Sequence, residues 1–167
     1  AFGQYADPEN RCVTLPENDV DLASVKRVIL VACGTAYFAG LVGKNWIERY
    51  AGIPASVDIA SEFRYSEAPL DPGCLAIFVS QSGETADTLA ALNHCKANGL
   101  KTMGIVNVPD SSITREVDVT LPTYAGPEIG VASTKAFTAQ LGALAAFAIS
   151  LGRARQTLCA DKEAHLV

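Results

Sequence analysis

The 167-residue chain carries 49 % hydrophobic and 19 % charged residues, which excludes a disordered segment and fits a single compact domain with a real core. Its net charge of −5 and 13 scattered basic residues leave no basic stripe with interleaved aromatics, so nucleic acid is not an expected partner. Five widely spaced cysteines without a CxxC, and only 2 histidines, argue against a metal site and for a reducing, cytoplasmic compartment.

The first residue is alanine, so the sequence reads as a piece of a longer chain, and no basic, apolar leader opens it. Residues 1–24, rich in Pro, Asn and Asp and without sustained periodicity, are expected to be a linker or poorly ordered N-terminal arm, leaving 25–167 as the domain. "KRVILVA" (26–32) is a continuous β-branched run of strand length, suited to a strand buried on both faces of a parallel sheet. "CGTAYFAGLVGKNWIERYAG" then has helical spacing and closes on Gly52. "ASVDIA" (55–60) is a second strand, and 61–73 a loop with a helical turn. "CLAIFVS" (74–80) is the third strand, followed by a helix from Thr85 to Asn98. "KTMGIVNV" (101–108) is the fourth, Asp110 or Ser111 caps a short helix, and "DVTLPT" (118–123) is the fifth. A last helix runs from Thr134 to Arg153; its run "AFTAQLGALAAFAISLG" is alanine-rich and broken by Thr138, Gln140 and Ser150, which favours a buried helix over a membrane span.

Strand and helix alternate five times, the pattern of an α/β fold: a three-layer, doubly wound, five-stranded parallel sheet. Such sheets bind ligands beyond the carboxyl ends of their strands, where the strand order reverses. The densest polar clusters fall at those ends: "CGT" after the first strand, "SQSGET" after the third, "GVAST" before the last helix.

"SQSGET" (80–85) places Ser80, Ser82 and Thr85 hydroxyls and the Gln81 amide around Gly83, at the start of a helix whose first N–H groups lack partners. That arrangement suits a phosphate. It contains no lysine, and G-x-x-x-x-G-K-[ST] is absent, so it is a neutral cradle rather than a Walker loop; an ordinary N-cap with surplus serines is the bland alternative. Gly34 and Gly40 do not make a G-x-G-x-x-G, which leaves dinucleotide binding weak, and "VSQSG" lacks the first glycine of a hydrolase elbow. Lys135, in the first turn of the last helix, opposes the dipole, so a salt bridge or a ligand contact is expected of it. Glu84 and Glu128 read best as solvated carboxylates. Tyr37, Phe38 and Trp46, at helical spacing, pack the core or a subunit contact.

Together, "ACGTAYFAGLVGKNWIERYAGIP", "DIASEFRY", "SQSGETADTLAAL", "GIVNVPDSSITREVD" and "GPEIGVASTKAFTAQL" resemble the SIS (sugar isomerase) domain family, and within it the first SIS domain in the isomerase half of the glutamine–fructose-6-phosphate aminotransferases. The resemblance runs in order from Val25 to Leu151. It implies a flavodoxin-like sheet and a hexose 6-phosphate ligand, fructose 6-phosphate or glucosamine 6-phosphate, with Ser80, Gln81, Ser82 and Thr85 on the phosphate. It also implies Thr35 at the sugar from the first strand end, and Val131 and Ser133 from the last loop. Where some members read C-G-T-S, this chain has Ala36, which implies weaker or rearranged contacts at one point. The family's glutaminase domain, second SIS domain and catalytic tail would be partners supplied by the parent chain, in a homodimer. No catalytic residue and no cofactor are therefore assigned to these residues. The competing expectation is a non-catalytic SIS module that senses a phosphosugar. The alanine-rich last helix is expected to face another copy or the second domain.

Overall fold

The computed structural model describes residues 1–17, 19–67, 69–127 and 134–167. The N-terminal residues, expected as a linker or loose arm, carry structure of their own. A 3₁₀ turn at Phe2–Gln4 leads into strand β1 (Ala6–Asp7), which pairs antiparallel with β2 (Cys12–Val13). Tyr5 and Val13 are buried in the main core, and the Tyr5 hydroxyl donates to the Pro122 carbonyl. Composition hid this segment because only a few apolar side chains anchor it, and they are spaced without a period.

The five apolar runs become β3 (Arg27–Ala32), β4 (Ala55–Ile59), β5 (Cys74–Ser80), β6 (Lys101–Val106) and β7 (Val119–Pro122). They form one parallel sheet in the order β4-β3-β5-β6-β7. Every residue of β5 is buried, as a central strand covered on both faces requires. The connecting helices are α1 (Gly34–Ala51), α2 (Ala60–Phe63), α3 (Ala86–Ala97), α4 (Ser112–Glu116), α5 (Thr134–Ala154) and the additional α6 (Ala160–Leu166). The short "ADKEAHL" of α6 offers too little apolar periodicity to be seen in the sequence.

Alternate strand residues sort the core into two layers. Val28, Leu30, Leu75, Ile77, Met103 and Ile105 face α1 and α5, whereas Ile29, Val31, Ala76 and Phe78 face α2, α3 and α4. The doubly wound three-layer fold is therefore present as expected. The α1 and α5 helices meet closely at Gly43, where a Cβ would lie 2.8 Å from Leu144 Cδ2. By length and composition α5 could cross a membrane, but 67 % of its most apolar stretch is buried inside the protein. Part of the cover comes from the chain's own start: a Cβ at Gly142 would lie 2.8 Å from the Phe2 nitrogen. The surplus apolar surface of α5 is thus partly met within the chain. Glu163 of α6 fastens the same region, accepting from Val13 N–H at 2.9 Å and from the Arg153 guanidinium at 2.7 Å.

Candidate functional site

The chain leaves β3 through α1 toward β4 on one side, then returns across the sheet to β5 on the other. The carboxyl ends of β3 and β5 are therefore where the winding reverses, and a crevice must open between them. A cavity of about 170 Å³ occupies that position. Cys33, Thr35 and Ala36 line it from the β3–α1 turn, Val79, Ser80, Gln81, Ser82 and Thr85 from the end of β5, and Ala136 and Gln140 from α5. Thr35, Ser80, Gln81, Ser82 and Thr85 are thus brought together as the sequence predicts. Val131, Ser133 and Glu128 lie outside the described residues. A larger hollow of about 520 Å³ between the end of α1 and α6 lies away from the strand ends, whereas one of about 760 Å³ adjoins the site across Gln81, at the ends of β6 and β7.

The turn after β5 is locked by its own side chains. Ser80 is 4 % exposed, and its Oγ accepts from Gly83 N–H at 3.0 Å and lies 3.4 Å from Thr85 Oγ1. Ser82 Oγ accepts from Glu84 N–H at 3.2 Å. Gly83 has φ 69°, and a Cβ there would sit 2.0 Å from Ser111 Oγ, so only glycine fits. The turn is also tied to the neighbouring β6–α4 connection. Asn107 N–H donates to Gln81 O at 3.3 Å, Ile113 N–H to Gly83 O at 3.0 Å, and Ser112 N–H to Glu84 Oε1 at 2.7 Å. Hydrogen bonding from Ser112, through hydroxyl and backbone, holds the Glu84 carboxyl below the usual carboxylate range, and Arg115 adds to it. Glu84 therefore fastens a loop, which is more than the solvated carboxylate expected of it. Lys135 donates to the Pro127 carbonyl rather than to a carboxylate.

Two helix starts converge on the cavity. Cys33 and Thr85, the N-caps of α1 and α3, make no side-chain cap hydrogen bond, so the first N–H groups of both helices are left for something else. Their dipoles place partial positive charge at the same crevice. Among the described residues no lysine or arginine lines it. An anion held here would be held by hydroxyls, an amide and backbone N–H groups. Cys33, Ala136 and Gln140 were missing from the sequence reading. Only Gln140 left a signal there, as an amide inside an otherwise alanine-rich buried run.

The SIS domain family model matches residues 21–150. The chain is 54 % identical over its whole length to the glutamine–fructose-6-phosphate aminotransferase (isomerizing) of Rhizobium leguminosarum bv. viciae, and 56 % identical over 99 % of its length to that of Bradyrhizobium diazoefficiens. It spans 28 % of the length of each. Among solved structures it resembles the C-terminal domain of the glucosamine-fructose-6-phosphate aminotransferase of Francisella tularensis, with TM-score 0.90 and 42 % identity over 99 % of this chain and 46 % of that one.

Proposed function

Because the chain belongs to the SIS domain family, we propose that it is the first SIS domain of an isomerizing glutamine–fructose-6-phosphate aminotransferase, and that its crevice holds the phosphate end of a hexose 6-phosphate. The parent enzyme would make glucosamine 6-phosphate and glutamate from fructose 6-phosphate and glutamine. One observation carries the reading: Ser80, Gln81, Ser82, Thr85 and Thr35 line a single cavity at the strand-order reversal, where two uncapped helices begin.

The chemistry follows from the donors. A phosphate needs several N–H and O–H groups aimed at one point, and helix starts supply them without a mobile cation. Ser82 and Thr85 would donate hydroxyl protons, Gln81 its amide, and the α3 backbone its free N–H groups. At about 170 Å³ the cavity is smaller than pockets that enclose a whole small-molecule ligand, about 300–1,000 Å³. It suits the phosphate and adjoining carbons, and the remainder of the sugar would be covered by the rest of the parent chain. Amination and isomerisation would be completed there, with a glutaminase domain and a second SIS domain as partners in a homodimer. Free cysteines throughout the described residues accord with a cytoplasmic setting.

The test is isothermal titration of the chain with fructose 6-phosphate, glucosamine 6-phosphate and unphosphorylated fructose. Binding should require the phosphate, and Ser82→Ala should weaken it by roughly 1.5–3 kcal/mol without unfolding the protein. Equal affinity for fructose and its phosphate would reject the reading.

A further inference from the structure

Gln140 is a polar residue on the α5 wall of the crevice, within a stretch of helix face that is otherwise apolar. It lies on α5 one turn beyond Ala136, and the two share the face that looks into the crevice. The buried stripe continues past it through Ala143, Leu144 and Phe147, so an apolar side chain would serve the core at this position. Gln140 is 3 % exposed, and its amide opens onto the cavity; the fully buried side-chain polar atoms left without a partner among the described residues are Thr88 Oγ1 and Ser150 Oγ. A polar amide on the cavity wall, in a stripe that is otherwise apolar, offers donors and an acceptor to whatever occupies the crevice. Its side chain lines the cavity on the α5 side, while Ser80, Ser82 and Thr85 line it from the β5–α3 turn.

We infer that Gln140 is a specificity-determining residue that reads a hydroxyl group of the ligand whose phosphate sits on the Ser82–Thr85 turn; this rests on the function proposed above. The chemical argument is one of matching. A carboxamide offers both donors and an acceptor, as a sugar hydroxyl does, whereas a phosphate oxygen of the dianion only accepts. The backbone N–H donors of the cleft lie at the helix starts, and the hydroxyls and the Gln81 amide lie on the turn. Gln140 adds an acceptor on the α5 side, opposite the turn, which a phosphate cannot use and a hydroxyl can. A site built to pair a hydroxyl also penalises ligands that lack one, because such a ligand covers the amide without pairing it.

The experiment compares the unsubstituted chain, Gln140→Leu and Gln140→Glu by titration with fructose 6-phosphate and with inorganic phosphate, alongside thermal unfolding without ligand. In Gln140→Leu, affinity for fructose 6-phosphate should fall about tenfold while affinity for inorganic phosphate changes less than about twofold. Gln140→Glu should lose affinity for both, since a carboxylate there repels the anion. Ligand-free Gln140→Leu should melt no lower than the unsubstituted chain, because leucine extends the apolar stripe of α5. A melting point several degrees lower would make Gln140 a structural residue and overturn the inference. So would unchanged affinity for fructose 6-phosphate, or equal loss of phosphate and sugar phosphate. If the unsubstituted chain binds no fructose 6-phosphate, the function proposed above fails and this assignment fails with it. If that chain binds and Gln140→Leu binds equally well, only this assignment fails.

Discussion

Gly83 and Ser111 approach so closely that a Cβ on the glycine would sit 2.0 Å from the serine hydroxyl. The contact joins the turn after β5 to the N-cap of α4, and Glu84 reinforces it one residue later by accepting from Ser112 N–H. Gly83→Ala must therefore both adopt φ 69° and displace Ser111. The expected loss of stability is about 2–4 kcal/mol, read as a lower urea midpoint at constant slope. A loss below 1 kcal/mol would show that the turn is softer than its hydrogen bonds indicate.

Ser80 and Ser82 should separate on mutation although they are two residues apart. Ser80 is buried and satisfies Gly83 N–H, so Ser80→Ala should cost about 1–3 kcal/mol of stability as well as phosphate affinity. Ser82 is half-buried and bonds the more exposed Glu84 N–H, so Ser82→Ala should lower affinity with little change in melting. Unfolding and titration of the two variants side by side would decide it.

Four surface carboxylates, the half-buried Asp7 and the exposed Glu48, Glu84 and Glu116, sit below their ordinary values of 3.8 for Asp and 4.5 for Glu. The leading causes are bonds from the Asn10 backbone, the Lys44 ammonium, Ser112 and the Lys96 ammonium respectively. A carboxyl whose pKa is lower in the folded than in the unfolded state stabilises the fold above its unfolded value. That contribution is lost as pH falls through the folded value. Stability should thus be flat on this account near neutrality and decline below the ordinary 4.5 of Glu. The Glu84→Gln variant should decline less steeply, and its Ser112 amide should exchange faster with deuterium. An unaltered acid limb and unaltered exchange would contradict the Glu84–Ser112 tie.

Glu163 is a buried carboxylate serving two donors, Val13 N–H and Arg153. Glu163→Ala orphans the first donor and releases the second to solvent, because the Arg153 side chain is already 44 % exposed. A destabilisation of about 2 kcal/mol is expected, with faster protease cleavage within residues 1–14. Cleavage at the unsubstituted rate would mean that Tyr5 alone holds the hairpin.

The sheet was legible because "KRVILVA" and "CLAIFV" are buried on both faces, and continuous apolar runs flanked by helical spacing have few other solutions. The "SQSGET" turn was legible because polar residues crowd one strand end. What escaped notice depends on long-range partners. Tyr5 is anchored by Pro122, 117 residues away, and Val13 by Glu163, 150 residues away, and no local window contains either pair. Gln140 escaped for a related reason: an amide on an alanine-rich helix acquires meaning only when α5 is laid against the ends of β3 and β5.

The bonds within the Ser80–Thr85 turn also bear on how quickly the crevice can be used. Its hydroxyls and amides are held by bonds within the protein itself, Ser80–Gly83, Ser82–Glu84 and Glu84–Ser112. An incoming phosphate would meet donors already oriented, with no loop to order and so no entropic toll from the protein at this end. Capture there should be a single fast step set by diffusion against a net charge of −5. Any slow phase after mixing with a sugar phosphate would then report motion elsewhere in the chain.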